Sequence, residues 1–382
     1  MKQIDLLFRT LAERGGSDLH LSPGEKPMIR LHGRLEPLDG QARVIPPEEA
    51  WELLRPIVPD TNRAQFEAEN DTDFAYELPG LARFRCNLFR DRRGVGGVFR
   101  IIPHKILAAE ELGLAPAILD LCWLNKGLVL VTGPTGSGKS TTLCAMIDYI
   151  NRHRHDHIIT IEDPIEFVHE NKRCLINQRE VGPHTGSFKR ALRAALREDP
   201  DIVLVGEMRD LETMAIAMET AETGHLVFGT LHTSTAASTV DRIIDQFPTD
   251  QQNQVRTMLA ESLKGVISQT LVRTKDGKGR RAALEILLAT QAVSSNIREG
   301  KTHQIPLAMQ TGRNAGMMDL NTALMELVQQ DLVSAEEAWS KAVDKGGILR
   351  EFERLRIPFS PPAAALGGGG SAAAARSAAG AP

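Results

Sequence analysis

Two periodicities divide the chain. Over the first hundred residues, apolar positions recur at helical spacing or at every second residue. Residues 4–14 read as a short amphipathic helix ended by Gly15 and Gly16, and 18–21, 28–31 and 74–78 alternate as strands do, with Gly and Pro turns between them. Alternation is clearest over 82–89, where Arg83 and Arg85 share one face and Phe84 and Cys86 the other. Residues 102–114 contain Pro103 and Gly113 and read as an interdomain linker. From Gly127 onward the pattern changes to continuous apolar runs at 128–131, 158–161, 202–205 and 226–229, alternating with helical stretches. Such runs mark strands buried on both faces, and their alternation with helices predicts a mostly parallel sheet covered on both sides. Past residue 290 helical patterns dominate, for example 320–330 and 334–343. The expected division is an α+β domain over 1–100, a linker over 101–115, an α/β domain over 116–289 and a helical region over 290–358. An Ala/Gly-rich tail over 359–382 reads as disordered. No internal repeat is present.

Composition narrows the class. Hydrophobic residues make up 42% and charged residues 25% of 382, the ordinary balance of a globular chain. The net charge is −4 and aromatics are 4%, so neither a positive field nor stacking platforms point to a nucleic-acid partner. No run approaches the ~18 apolar residues of a membrane span, and the first ten residues, with acidic Asp5 and no apolar h-region, do not read as a secretory signal. The four cysteines, Cys86, Cys122, Cys144 and Cys174, match neither a disulfide framework nor a zinc site in their spacing. A soluble, reduced, cytoplasmic protein is expected.

Chemistry concentrates after the apolar runs. Gly133-Pro134-Thr135-Gly136-Ser137-Gly138-Lys139-Ser140 fits G-x-x-x-x-G-K-[ST], preceded by a buried strand and followed by a helix-compatible run from Thr141. Its glycines let backbone N–H groups converge on phosphates, Lys139 can reach the β- and γ-phosphates, and the Ser140 hydroxyl can ligate Mg²⁺. The loop therefore predicts a nucleoside triphosphate site. Ligands of such sheets collect at the carboxyl ends of strands. Glu162-Asp163-Pro164-Ile165-Glu166 follows one run, Gly206-Glu207 the next, and His232 a third, with His225 just before it. Glu166 is the first choice for the group that activates water and Glu162 the second, while Glu207 suits the magnesium side. Asp163 before Pro164 also fits a helix N-cap. Arg83, Arg85 and Arg100 form a solvated face or supply a cation against the γ-phosphate. Residues 187–197 read as a Ser187-capped helix with an apolar stripe of Phe188, Leu192 and Leu196 and a basic stripe of Arg190, Arg193 and Arg197.

The order GPTGSGKS, TIEDPIEF (160–167), LREDPDIVLVGEMRDLET (196–213) and TGHLVFGTLHT (223–233) resembles the secretion ATPase superfamily. Within it, SDLHL (17–21), ARFRCNLF (82–89) and IREGK (297–301) are similar to the type IV pilus retraction ATPases, the PilT/PilU group behind twitching motility. The resemblance implies a PAS-like N-terminal domain and a RecA-like P-loop ATPase domain with a helical C-terminal region. It implies an ATP- and Mg²⁺-dependent hexameric motor for pilus retraction. Gly133, Pro134, Thr135, Gly136, Ser137, Gly138, Lys139, Ser140 and Thr141 would bind the nucleotide in the Walker A loop, and Ser140 and Glu207 the Mg²⁺. Glu162, Asp163 and Glu166 would form the Asp box, Glu207 the Walker B glutamate, and His225 and His232 the His box. Arg83, Arg85 and Arg100 would approach the nucleotide from the N-terminal domain. Implied partners are further copies in a homohexamer, an inner-membrane platform protein and a paralogous retraction ATPase. Membrane contact would be peripheral, through the platform, at the cytoplasmic face of the bacterial inner membrane. The short N-terminal region and the absence of a four-cysteine zinc insertion imply retraction rather than assembly. The segment 276–281 is nearer to the PilU branch, whereas the ATPase motifs are nearer to PilT. A nucleotide-binding, non-hydrolysing regulator of a pilus or secretion motor is the alternative, and a DNA-translocating motor is a further rival.

Overall fold

A computed structural model describes residues 2–31, 34–40, 43–102 and 106–361. Pro103 of the expected linker and residues 362–382 of the expected tail lie outside them. The chain forms two compact units: the part up to Leu114 with Ser140–Glu207, and Ala115–Lys139 with the chain from Met208 onward.

In the first unit, six antiparallel strands line up as β3-β2-β1-β6-β5-β4. They are β1 (Asp18–Leu21), β2 (Met28–Leu31), β3 (Arg34–Pro37), β4 (Asp71–Leu78), β5 (Ala82–Asp91) and β6 (Gly94–Ile102). Because successive side chains leave a strand on opposite faces, one face of this sheet is apolar. Leu19, Ile29, Phe84, Cys86 and Phe99 meet Ile4, Phe8 and Leu11 of the helix Gln3–Glu13, and all eight are fully buried. The Phe8 ring stacks on Phe84 at 4.1 Å and meets the edge of Phe99 at 5.3 Å. The opposite face is polar: Arg85 lies across from Arg100, and Asp18 across from both Arg100 and Arg30. Two helices, Pro47–Leu54 and Asp60–Glu69, add Leu54 and Phe66 to the core. Strand β6 carries Gly94, Gly96 and Gly97. Here glycine is needed for close approach: a Cβ at Gly96 would come within 2.9 Å of the Leu21 carbonyl.

The remaining strands are β7 (Gly127–Thr132), β8 (His157–Glu162), β9 (Leu175–Glu180), β10 (Ile202–Val205), β11 (Leu226–Leu231), β12 (Leu263–Arg273) and β13 (Arg280–Leu288). In the first unit β8 is paired in parallel with β10 on one side and β9 on the other. In the second, β7 is paired in parallel with β11 and β12, and β13 closes that edge antiparallel to β12. Every residue of β7, β10 and β11 is buried, as their continuous apolar runs require. With one antiparallel edge strand, the pairing is mostly parallel, as expected. The C-terminal part is helical as its pattern predicts, with Asp319, Ser334 and Asp344 capping the helices Leu320–Gln329, Ala335–Lys341 and Lys345–Arg354. Two details depart from expectation. Phe359 does not begin a loose tail, because its ring packs 5.5 Å from Phe352 and 5.7 Å from Trp339. The helix Phe188–Ala195 buries Ala191, Leu192 and Ala195, while Leu196 is exposed.

Phe8 fills the space between its helix and the sheet, so Phe8→Ala leaves a cavity against three aromatic rings. We expect a loss of about 3–5 kcal/mol in the stability of the N-terminal sheet. Urea unfolding will measure the loss, and faster amide exchange confined to the first hundred residues will locate it.

Candidate active site

Strand β7 ends on buried Thr132, whose Oγ1 lies 2.8 Å from Ser268 Oγ on β12. The backbone then turns through left-handed conformations at Gly133 (φ 141°), Gly136 (φ 78°) and Gly138 (φ 89°). No other residue fits the first of these, because a Cβ at Gly133 would sit 2.3 Å from the Gln269 carbonyl oxygen and 2.6 Å from Ser137 Oγ. The helix Lys139–His153 opens where the loop closes, so its unsatisfied N-terminal N–H groups line the curl. Ser140 and Thr141 stand in its first turn. Lys139 folds back over the loop, its Nζ donating to the Gly133 carbonyl at 2.8 Å and the Pro134 carbonyl at 3.2 Å. Ser137 Oγ is buried and has no hydrogen-bond partner among the described residues. A ring of amides with a lysine across it is an anion cradle.

In the first unit, β8 and β10 end side by side. Gly206 N–H donates to the Ile161 carbonyl at 2.7 Å, and a Cβ at Gly206 would lie 3.2 Å from Glu162 Cα. The crowding brings the segments bearing Glu162 and Glu207 together. Glu162 is half-buried and accepts from Thr160 Oγ1 (2.6 Å), Gln178 Nε2 (3.1 Å) and the Glu166 N–H (3.4 Å). Burial pushes its carboxyl above the usual range despite these bonds, and the charge of Glu166 adds to the effect. Glu166 itself is exposed, as is Asp163. No helix follows the cis Asp163–Pro164 peptide, so the N-cap reading of Asp163 fails.

The arginines have definite partners. Arg100 Nε donates to Asp18 Oδ1 at 2.8 Å, and Arg100 is 69% exposed while Asp18 is only 6% exposed. Burial raises the Asp18 carboxyl, but bonds from Ser17 and Arg100 outweigh it and hold it below the usual range. Arg83, expected near phosphate, is ion-paired with Glu180 at the end of β9. The sequence reading missed Glu180; its one signal is an acid closing the run 175–180. Arg85 is exposed on the same sheet face.

The histidines separate. Leu231 pairs with Thr132, so His232 follows β11 at the loop end of the strands. His225 precedes β11, and its carbonyl accepts from Gly127 N–H at 3.0 Å at the opposite end of β7. Six strand residues, or about 20 Å, separate the two, so the structure does not bring His225 to the loop. A further pair was missed: Cys144 Sγ, on the helix after the loop, lies 3.4 Å from His169 Nε2. Burial holds the His169 imidazole down to about 4 and pushes the Cys144 thiol up.

Residues 104–347 match the family model described as type II/IV secretion system protein. The type IV pilus retraction ATPase PilT of Pseudomonas aeruginosa is 54% identical over 334 residues, spanning 87% of this chain and 95% of its own. The type IV pilus ATPase PilU of the same organism is 40% identical over 340 residues, 89% of this chain and 88% of its own. The crystal structure of the pilus retraction motor PilT with bound ADP superposes with a TM-score of 0.86 at 44% identity, covering 92% of this chain and 99% of that one.

Two outcomes follow from this geometry. Gly133→Ala should weaken binding of a fluorescent nucleoside triphosphate at least tenfold, since the added methyl forces the loop and the Gln269 carbonyl apart, while the far-UV circular dichroism is kept. His169 is neutral in the fold, so its stability contribution is complete above its ordinary pKa of 6.5 and is lost as pH falls toward about 4. Wild-type stability should drop by on the order of 3 kcal/mol across that window through this group. Urea titrations of His169→Gln should lack that part of the slope.

Proposed function

Because this chain belongs to the type II/IV secretion system protein family, and within it to the pilus retraction ATPases, we propose that it is an ATP-hydrolysing motor that retracts type IV pili and powers twitching motility. One observation carries the reading: a loop with three left-handed glycines and Lys139 across it, in a chain 54% identical to PilT. Identity is lower to PilU, 40%, which supports a PilT-type role. The expected division into a PAS-like domain (1–100), a RecA-like domain (116–289) and a helical region (290–358) is part of this proposal.

In the mechanism, the backbone N–H groups of residues 135–141 take the β- and γ-phosphates, and Lys139 exchanges its two carbonyl partners for phosphate oxygens. Among the described residues no three His, Cys, Asp or Glu side chains converge as a metal cage. That suits Mg²⁺, which is held by one or two protein ligands together with phosphate and water. Ser140 and Glu207 would hold it, and it would supply charge neutralisation on the phosphates. Glu166, exposed and tethered through its N–H to Glu162, accepts a proton from the attacking water. The water oxygen bonds to the γ-phosphorus, the bond to the β-phosphate oxygen breaks, and ADP and phosphate leave. Arg85 and Arg100 oppose the developing charge, and His232 stands at the strand end nearest the γ-phosphate. His225 takes no part in this step.

Six copies form the working ring, one copy's arginines serving its own or a neighbour's nucleotide. Triphosphate and diphosphate differ in the contacts they offer those arginines, and only such a difference can shift a conformational equilibrium. The ring acts on an inner-membrane platform protein at the cytoplasmic face, alone or with a paralogous retraction ATPase, and pilins return to the membrane. Among the described residues no helix is long and apolar enough to cross a membrane, which fits peripheral attachment.

Phosphate release by purified protein tests the reading. Glu166→Gln should lower it by ~10²–10⁴-fold with nucleotide binding kept, and Lys139→Ala should lose binding. Cells lacking the gene should carry abundant surface pili and not spread. A wild type that binds ATP without releasing phosphate would instead make the protein a regulator of another motor, and cells without any pili would make it an assembly ATPase.

A further inference from the structure

Glu180 lies outside every motif of the nucleotide site, yet it is the most enclosed carboxylate beside it. It closes β9 directly opposite Glu162, which closes β8. Its side chain is 4% exposed, and a buried carboxylate is costly unless it is paired and hydrogen-bonded. One of its oxygens, Oε2, accepts two donors: the backbone N–H of Ile165 at 3.1 Å and the guanidinium of Arg83. Ile165 is itself buried and immediately precedes Glu166. The N–H of Glu166 goes to Glu162. Two consecutive amides of an irregular segment are thus pinned by two carboxylates that end paired strands. Arg83 belongs to β5 of the N-terminal sheet, and its Nε is buried with no hydrogen-bond partner among the described residues. Its guanidinium pairs with Glu180, through which it reaches the segment that presents Glu166.

Building on the ATPase reading above, we propose that Glu180 is a positioning residue: it ties Arg83 of the N-terminal sheet to the Ile165 amide, so that Arg83 acts on hydrolysis by fixing Glu166 and not by touching phosphate. Removing the arginine leaves a buried carboxylate without its counter-charge. That carboxylate then draws in water or shifts, and the Ile165 amide loses its fixed acceptor.

The test uses the full-length protein and the variants Arg83→Gln, Glu180→Gln and the double variant. Glutamine at 180 keeps an acceptor oxygen but loses the charge that holds Arg83. Each single change should lower kcat for phosphate release about tenfold while KM for ATP stays within twofold. The double variant should be no slower than either single, because both break one linkage. Arg83→Lys, which keeps the charge, should recover most of kcat. An Arg83→Gln effect that falls on KM, or that persists undiminished on top of Glu180→Gln, would place Arg83 on the nucleotide and overturn the proposal. Amide exchange of the peptide 163–167 gives a readout independent of catalysis. Arg83→Gln should speed it about tenfold through the loss of its pairing with Glu180, and unchanged exchange would overturn the linkage whether or not the wild type hydrolyses ATP. Should Glu180→Gln not fold, this exchange measurement on Arg83→Gln alone decides.

Discussion

Backbone crowding at the carboxyl ends of the parallel strands governs this molecule. At Gly133 the chain passes so close to the Gln269 carbonyl that a methyl group has no room, and at Gly206 it passes against Ile161 and Glu162. Both glycines sit where a strand gives way to polar chain. Close approach does two things there. It aims backbone N–H groups inward, which in the loop 133–140 creates a site for negative charge without spending side chains on it. It also lets the stretches ending in Glu162 and Glu207 lie side by side. A bulkier residue at either place would open the strand ends, and the polar groups would no longer converge.

How much of this the chain discloses in advance depends on how strongly each element is marked. The strands buried on both faces were plain, because a run such as Ile202-Val203-Leu204-Val205 has few other uses. The loop 133–140 was plain for the opposite reason: its glycines, lysine and serine fall at fixed intervals that local geometry demands. Strand β6 was less so, since three of its nine residues are glycines and the need for one of them, Gly96, shows only in the nearby Leu21 carbonyl. Strand β9 was hidden by Asn177, Gln178, Arg179 and Glu180, polar residues whose roles lie in partners distant along the chain. The pairing of β12 with β13 likewise depends on register, which spacing along a sequence does not encode.

The N-terminal sheet carries the same lesson in its charges. An alternating strand announces that Arg83 and Arg85 share a face, but not what they meet. Arg100 leans on Asp18, an acid 6% exposed, and Arg83 on Glu180, one 4% exposed. In each pair the acid is buried and the arginine reaches it from a more open position. Such pairs add less to stability than their distances suggest, because desolvation offsets the attraction, but breaking one strands a buried charge. They specify arrangement more than they strengthen it.

That distinction bears on the two carboxylates closest to the proposed chemistry. Glu162 is half-buried, accepts three hydrogen bonds and is pushed toward its neutral form by burial. A group so committed has few lone pairs left to take a proton from water. Glu166, four residues on, is exposed, and its backbone N–H is held by Glu162. A proton acceptor must meet water, be ionised and be aimed; the first two conditions favour an exposed side chain and the third a rigid backbone. The segment 163–166 reconciles them by fixing its amides on buried acids and leaving the terminal carboxylate free in solvent. In the proposed mechanism Glu162 would hold the segment and Glu166 would react, and burial, not residue type, tells these two carboxylates apart.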